Sequence, residues 1–490
     1  MAVRTDPRQA GAHVRARRPV FGLVAAGALI EGALVLGVLV PLRLDRHPPA
    51  LSTNLAVSLG VDARGLARYL ALIAALLVGY VLALRLARQL RRTGAVAFVA
   101  ATALFGVTLL PAHPGYSSDV FHYVAIARVA FTYEANPHVT PPQAFPDDPL
   151  MSLSGWWWLP SPYGPAWTWL SRLPHAAAGG STDPTRLLIA FKALTLLGVV
   201  GTCAALAAAA ERLLAGSGAL AAVAFGWNPL VLLHLAGDGH NDAVMLGLLA
   251  LGLLALASGR RLLALAGFGV AGLVKIAALP AAGALALFLL LNRGLRAVIA
   301  AGVVLLLLAA VLTAPYWEGS ATFKATFDEG RYFTNTPAAL AVEVLTPLLG
   351  ENAAITLLGV GMRLALLGVL VWLVRRAGAE PRRLILATAT GYTLAVSLLC
   401  AWYQPWYASW ALLCWAALPR SRASVPLLLA LTTGALLVPA SVNFLPAVLG
   451  WDLHSTGIEL LTVLSVHLPL GAALVWLWGR RSAREDDPVN

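Results

Sequence analysis

The sequence predicts an all-α fold that crosses a membrane many times, and three observations predict it. Hydrophobic residues make up 59% of the chain and charged residues 12%, about half the roughly 25% charge of a soluble domain. Apolar stretches recur in lengths of roughly 20 residues, enough to cross a bilayer. Basic residues gather in short clusters in alternate turns, as the positive-inside rule expects. Helices suit such stretches because they satisfy their own backbone hydrogen bonds. A membrane β-barrel would show short segments of alternating polarity, and the chain does not read that way.

Taken in order, residues 1–19 form a basic N-terminus with Arg4, Arg8, Arg15, Arg17 and Arg18. The apolar stretch 20–42 is too long for the core of a signal peptide and has no small-residue cleavage site. It reads as an uncleaved first span with the N-terminus in the cytoplasm. A polar link, 45–68, leads to the second span at 69–87, and the basic turn holding Arg85, Arg88, Arg91 and Arg92 follows. The third span, 95–112, exits outward into the long polar loop 113–184. Further spans are expected near 186–209, 217–235, 242–257, 262–278, 279–292, 297–314, 353–374, 383–401, 405–419, 424–440 and 456–478. The total is about fourteen, with twelve as the lower bound.

Charge tests this order. The expected cytoplasmic turns, at 85–92, 211–212, 260–261, 293–296, 375–383, 420–422 and 480–484, are basic in all but one case. The expected outer loops, at 118–119, 147–148, 238–242, 318–331, 402–406 and 441–455, are acidic, aromatic or mixed. Residues 20–478 thus form one transmembrane domain, with 113–184 as an outer loop between spans three and four and 479–490 as a cytoplasmic tail. The net charge of +12 sits in the turns, which accounts for it by topology rather than by nucleic acid. Cys203, Cys400 and Cys414 lie in apolar runs without metal-ligand or disulfide spacing.

Polar residues that need an explanation collect at the outer side, at span ends and in loops. A transporter would instead place them near the midplane. In the segment 117–123, Asp119, His122 and Tyr123 share a face if the segment is helical; Ser118 or Asp119 could equally cap such a helix. The loop continues through Arg128, Asn136-Pro137-His138, Asp147-Asp148 and Trp156-Trp157-Trp158 to Ser161-Pro162-Tyr163-Gly164-Pro165. The tryptophans fit an interfacial belt or, with Tyr163, a stacking surface for a sugar or isoprenoid. Asp238-Gly239-His240-Asn241-Asp242 fits a turn and helix cap. His240 and Asp242 could also be metal ligands, though two groups without a third are weak grounds. Lys275, at an outer span end, either snorkels or holds a phosphate. Residues 324–331 with Tyr332 form an outer basic segment, and 402–407 form an aromatic one. Glu31 within the first span is a functional candidate unless it faces a polar neighbour.

Ser118-Asp119, Tyr123, Arg128, Asn136-Pro137 and 161–165 together resemble the first large outer loop of membrane glycosyltransferases of the GT-C superfamily. The closer resemblance is to actinobacterial polyprenyl-phosphomannose-dependent α-1,6-mannosyltransferases, which build the mannan core of lipomannan and lipoarabinomannan. Asn228-Pro229-Leu230, Gly239-His240-Asn241-Asp242 and Gln404-Pro405-Trp406-Tyr407 extend it over roughly 113–410. The resemblance implies a GT-C-like fold and a catalytic aspartate, which Asp119 matches. It implies positive charge near the donor phosphate, for which Lys275 and Arg331 are the candidates. His122, Tyr123, Arg128, Tyr163, His240, Asn241, Asp242 and Gln404 are the expected sugar or acceptor contacts.

The expected partners are a polyprenyl-phosphate sugar donor, most simply a mannosyl one, a cell-envelope glycan or glycolipid acceptor, and membrane lipid. The expected place is the plasma membrane, with the active site extracytoplasmic. A phosphate monoester leaving group is stable as an anion near neutral pH, so a base and positive charge suffice, without the carboxylate pair of glycosidases. A single displacement inverts the anomeric centre. No cofactor is expected. Asp119 has Ser118 rather than a second acid beside it, so no metal is expected either. Two other readings are a flippase for lipid-linked glycan and a non-catalytic assembly subunit.

Overall fold

The fold is known from a computed structural model that describes residues 7–90, 94–329, 331–453 and 455–485. Arg4, Arg91, Arg92, Asp486 and Asp487 therefore lie outside the described residues. Among the described residues the regular structure is helical, and β-structure is limited to two isolated bridges, Arg43 with Ala112 and Thr334 with Trp402.

Among the described residues, eight helices are long and apolar enough to cross a membrane, and a bent pair would make a ninth. Every expected span holds helix, but the count of about fourteen is not reached by this measure. The shortfall has a physical cause. Several helices stop short where a polar segment begins: Val96–Leu109, Asp242–Ala257 and Arg261–Val274 all abut the polar end of the bundle. The outer loop is itself ordered, with helices Asp119–Phe131 and Pro165–Ala177 and short turns of 3-10 helix at Pro142–Ala144 and Met151–Leu153.

Helix ends follow local chemistry. Asp62 accepts from the Gly65 amide at 2.8 Å, and Thr336 from the Ala339 amide at 3.0 Å, each satisfying an otherwise unpaired donor. The helices Leu295–Thr313 and Glu351–Ala377 are largely exposed and form the lipid-facing periphery. At the centre, the helix Gly218–Gly226 is buried along its whole length. Helices Pro184–Leu213 and Asp242–Ala257 approach each other at Gly198, where an added Cβ would stand 2.8 Å from the Ala243 backbone. Small residues at such crossings let membrane helices come close.

Charges inside the spans are all tied to neighbours. Thr108 Oγ1 donates to Glu31, which favours the reading of Glu31 as a residue facing a polar partner. Lys192 is fully buried and donates to the carbonyls of Leu109 and Ala112, both at 2.6 Å. The turns expected on one side meet at one end: Arg420 bonds the carbonyls of Gly216 at 2.6 Å and Arg88 at 3.2 Å, and Asn292 bonds that of Gly378 at 3.0 Å. The loops expected on the other side meet at the opposite end, where Asn136 donates to the Tyr316 carbonyl and to Glu318, each at 2.8 Å.

One break shapes the polar end. Helix Gly218–Gly226 and the π-helical turn Val231–Gly237 meet at a 68° bend. Pro229 has no amide to continue the ladder. Asn228 holds the corner, donating to Thr432 Oγ1 at 2.7 Å and to Tyr80 Oη at 3.2 Å, and accepting from the Leu230 amide at 2.9 Å. The wide turn then gives way to Gly239, whose φ of +80° favours glycine.

Candidate functional site

Four segments converge at the polar end: the start of helix Asp119–Phe131, the turn 238–242, Lys275 at the end of helix Arg261–Val274, and the aromatic stretch 402–407. In front of the turn 238–242, and walled by the other three segments, lies a cavity of about 230 Å³ whose lining includes Asp119, His122, Trp156, Tyr163, Lys275 and Gln404. Asp119, His122, Tyr163, Lys275 and Gln404, expected site residues, thus share one space with Trp156, expected as a belt or stacking residue. Trp156 is the one member of its triplet on the cavity wall; Trp157 and Trp158 are exposed, at 42% and 49%.

Asp119 is the first residue of its helix. Ser118, at the cap position, makes no side-chain capping bond. The Asp119 side chain is 16% exposed, and its Oδ2 stands 3.5 Å from Nδ1 of His240. Burial acts to raise its pKa, but the facing His240 and the charge of Lys275 outweigh it and hold the carboxyl below its usual range. One turn on, His122 Nδ1 pairs with Ser154 Oγ at 2.9 Å. Burial pushes the His122 imidazolium pKa down to about 4 against the pull of Asp119, so the ring is neutral at pH 7. Its Nε2 has no hydrogen-bond partner.

Lys275 is 13% exposed and donates to Asp242 Oδ2 at 2.7 Å. Trp410 Nε1 holds the other Asp242 oxygen at 2.6 Å. The Lys275 ammonium lies 5.8 Å from the Tyr163 ring centre and 5.6 Å from that of Tyr407. Ion pair and aromatic faces together fix a cation across the cavity from a carboxylate, in a setting where charge is weakly screened.

Other expected contacts lie elsewhere. Tyr123 is fully buried, with its hydroxyl 3.3 Å from Asn241 Oδ1 and its ring edge-on to Tyr163 and Trp167. Asn241, His240 and Asp242 are all fully buried behind the cavity wall. Arg128 is buried and paired with Asp148 at 2.7 Å, and Tyr133 donates to the same oxygen at 3.0 Å. That pair braces the loop. Arg331 is exposed and donates to Asn352 at 3.3 Å, away from the cavity lining. His240 does not join Asp242; it stacks on Trp406 at 3.8 Å and turns towards Asp238 and His234. Sequence reasoning passed over His234 and Trp410. The pattern His234-x-x-x-Asp238-x-His240 was the available signal for the first.

A family model described as alpha-(1->6)-mannopyranosyltransferase, N-terminal domain, matches residues 19–291, more than half of the chain. An alpha-(1->6)-mannopyranosyltransferase A of Corynebacterium glutamicum is 31% identical over 189 residues, 37% of this chain and 35% of that protein. A probable alpha-(1->6)-mannopyranosyltransferase of Mycolicibacterium smegmatis is 32% identical over 30% of this chain and 27% of its own length. The match thus spans about a third or less of these two relatives. An alpha-(1->6)-mannopyranosyltransferase A of Mycobacterium tuberculosis is 27% identical over 69% of this chain and 68% of that one. Among solved structures, the apo oligosaccharyltransferase of Archaeoglobus fulgidus shows a TM-score of 0.38 at 13% identity, over 77% of this chain and 55% of that one. That likeness is too low to bear on fold or function.

Proposed function

Because the chain belongs to the alpha-(1->6)-mannopyranosyltransferase family, we propose that it is an inverting glycosyltransferase. In this reading it moves mannose from a polyprenyl-phosphate donor to a cell-envelope glycan or glycolipid, from a cavity on the outer face of the plasma membrane. Both termini then lie in the cytoplasm, 20–478 is one GT-C-like domain, and the loop 113–184 carries the catalysis. The observation that supports it most is the placement of Asp119 and Lys275 on one cavity, with Asp119 as the only carboxylate on its wall among the described residues.

Asp119 would accept the proton of the acceptor hydroxyl as that oxygen attacks the anomeric carbon. The bond to the phosphate oxygen breaks as the new bond forms, and the phosphate leaves as an anion. Lys275 would stabilise that charge. Lys275 takes the phosphate role ahead of Arg331, which could meet a donor only at the approach to the cavity. The unpartnered Nε2 of His122, with Tyr163, Trp156 and Gln404, would orient the sugar. Tyr123, Asn241 and Asp242 would act by holding the wall that carries these groups. The donor phosphate needs no metal ion in this scheme.

The test is transfer by the purified protein, offered several polyprenyl-phosphate sugars and a short α-mannoside, with the product linkage determined. An α-1,6-linked mannose supports the reading. Transfer of another sugar alone changes the donor, and no transfer from any of them overturns the proposal.

A further inference from the structure

Behind the cavity wall, His234, Asp238 and His240 form a cluster that the transfer scheme does not use. All three are at most 2% exposed. One nitrogen of each imidazole and one Asp238 oxygen lie within 4.8 Å of one another. Asp238 Oδ1 is satisfied, accepting from the amides of Gly115 at 2.7 Å and Tyr116 at 3.1 Å. Its Oδ2 is not. That atom stands 3.0 Å from His234 Nδ1, an ion-pair distance, and 4.0 Å from His240 Nε2, without the alignment of a good hydrogen bond to either. Both nitrogens of both rings lack hydrogen-bond partners too.

Five buried polar atoms without a well-formed hydrogen bond are costly, since each leaves its desolvation incompletely compensated. A divalent cation would compensate several at once. Ligand atoms on a tetrahedral zinc ion, at about 2.0–2.1 Å, stand roughly 3.3 Å apart; the atoms here, at 3.0 and 4.0 Å from Asp238 Oδ2 and within 4.8 Å of one another, would draw together on binding. Two imidazoles and a carboxylate form a donor set suited to zinc.

We propose that His234, Asp238 and His240 bind one zinc-type divalent cation, buried behind Asp119 and out of reach of the donor. A metal on Nε2 of His240 would place that ring's proton on Nδ1, which faces Asp119 at 3.5 Å. Metal-bound histidines commonly direct their other nitrogen to a carboxylate in this way. The ion would then fix the tautomer and position of His240, and through it the carboxylate of Asp119. Stacking on Trp406 holds the ring in the required plane. The spacing explains why the cluster forms: the wide turn Val231–Gly237 brings His234 over Asp238, and Gly239 turns the chain to return His240.

The experiment reads metal content, so its outcome does not depend on whether any sugar is transferred. Full-length protein in detergent is stripped with chelator, titrated with Zn²⁺ or Co²⁺, desalted and measured by elemental analysis. One ion per chain is expected, with a visible Co²⁺ absorption distinct from that of the aqueous ion, the three side chains being completed by a small ligand such as water. His234→Gln and His240→Gln should lose the ion, and His175→Gln should keep it. Asp238→Asn preserves an acceptor for both amides and tests the charge with little risk to folding; its affinity should fall at least 100-fold. Asp119→Asn should weaken binding roughly tenfold, as loss of an outer carboxylate does. Failure of the folded wild type to retain Zn²⁺ or Co²⁺ would overturn the proposal. So would retention of the ion by folded Asp238→Asn with unchanged affinity.

Discussion

Replacing Asp119 with Asn tests the proposed chemistry most directly. The two side chains have the same shape, and Ser118 at the cap position makes no side-chain bond that the change could disturb. Helix Asp119–Phe131 is buried on nearly every side, so folding should be little affected. What the substitution removes is the one carboxylate on the cavity wall among the described residues. Nearby groups cannot stand in for it. Asp148 is held by Arg128 and Tyr133, and Asp242 by Lys275 and Trp410. The His122 ring, with its pKa pushed down to about 4, is a weak base already bonded to Ser154. Loss of a general base costs about 10²- to 10⁴-fold. With no substitute base, the upper half of that range is expected, a rise of about 4–5.5 kcal/mol in the barrier. The assay is steady-state transfer with donor and acceptor varied separately, alongside thermal unfolding and donor binding. The turnover number should fall while donor affinity and midpoint stay near normal. A well-folded variant turning over within a few-fold of wild type would refute Asp119 as the base, and with it this cavity as the place of transfer.

Three further outcomes follow from the same geometry. Lys275→Ala should raise the donor KM at least tenfold and, by stranding the buried Asp242, destabilise the fold by about 3–5 kcal/mol; adding Asp242→Ala should restore stability but not donor use. An unchanged donor KM in folded protein would reduce Lys275 to a structural role. Arg128→Ala should lower the unfolding midpoint by leaving Asp148 buried and unpaired, at about 3–5 kcal/mol, without changing acceptor KM in the folded fraction. A selective loss of acceptor affinity would return Arg128 to the binding site. For sidedness, a cysteine at exposed Ser152 should react with an impermeant reagent from outside and one at exposed Ala379 should not; the opposite pattern would invert the proposed orientation.

Much of this was legible in the residues. Hydrophobic lengths located a helix for every expected span, and charge alternation sorted the turns into two groups that the fold gathers at opposite ends. Asp119, His122, Tyr163, Lys275 and Gln404 reach one cavity because each stands beside a helix end or polar turn, where sequence reading is strongest. Pairings between distant residues were not legible. Nothing local says that Arg128 turns to Asp148, or that Asp242 takes Lys275 and leaves His240. His234 was hidden because it sits in an apolar run, and its meaning depends on a turn wider than an α-helix. Fewer helices are long and apolar enough to cross a membrane than the spans expected, for a related reason: polar segments cut several helices short, and hydropathy does not show where a helix ends against such a segment.

Lys192 carries a consequence for how the protein enters the membrane. A lysine inside a helix resists insertion, by about 2.5–3.5 kcal/mol at the centre of a span. Here the charge rests on two carbonyls, of Leu109 and Ala112, from an earlier part of the chain. Leu109 ends the helix Val96–Leu109 and Ala112 follows it, and both are synthesised before the helix Pro184–Leu213. Synthesis from N- to C-terminus therefore delivers the acceptor before the donor. A later helix inserting beside the earlier one would find acceptors for its lysine already in place.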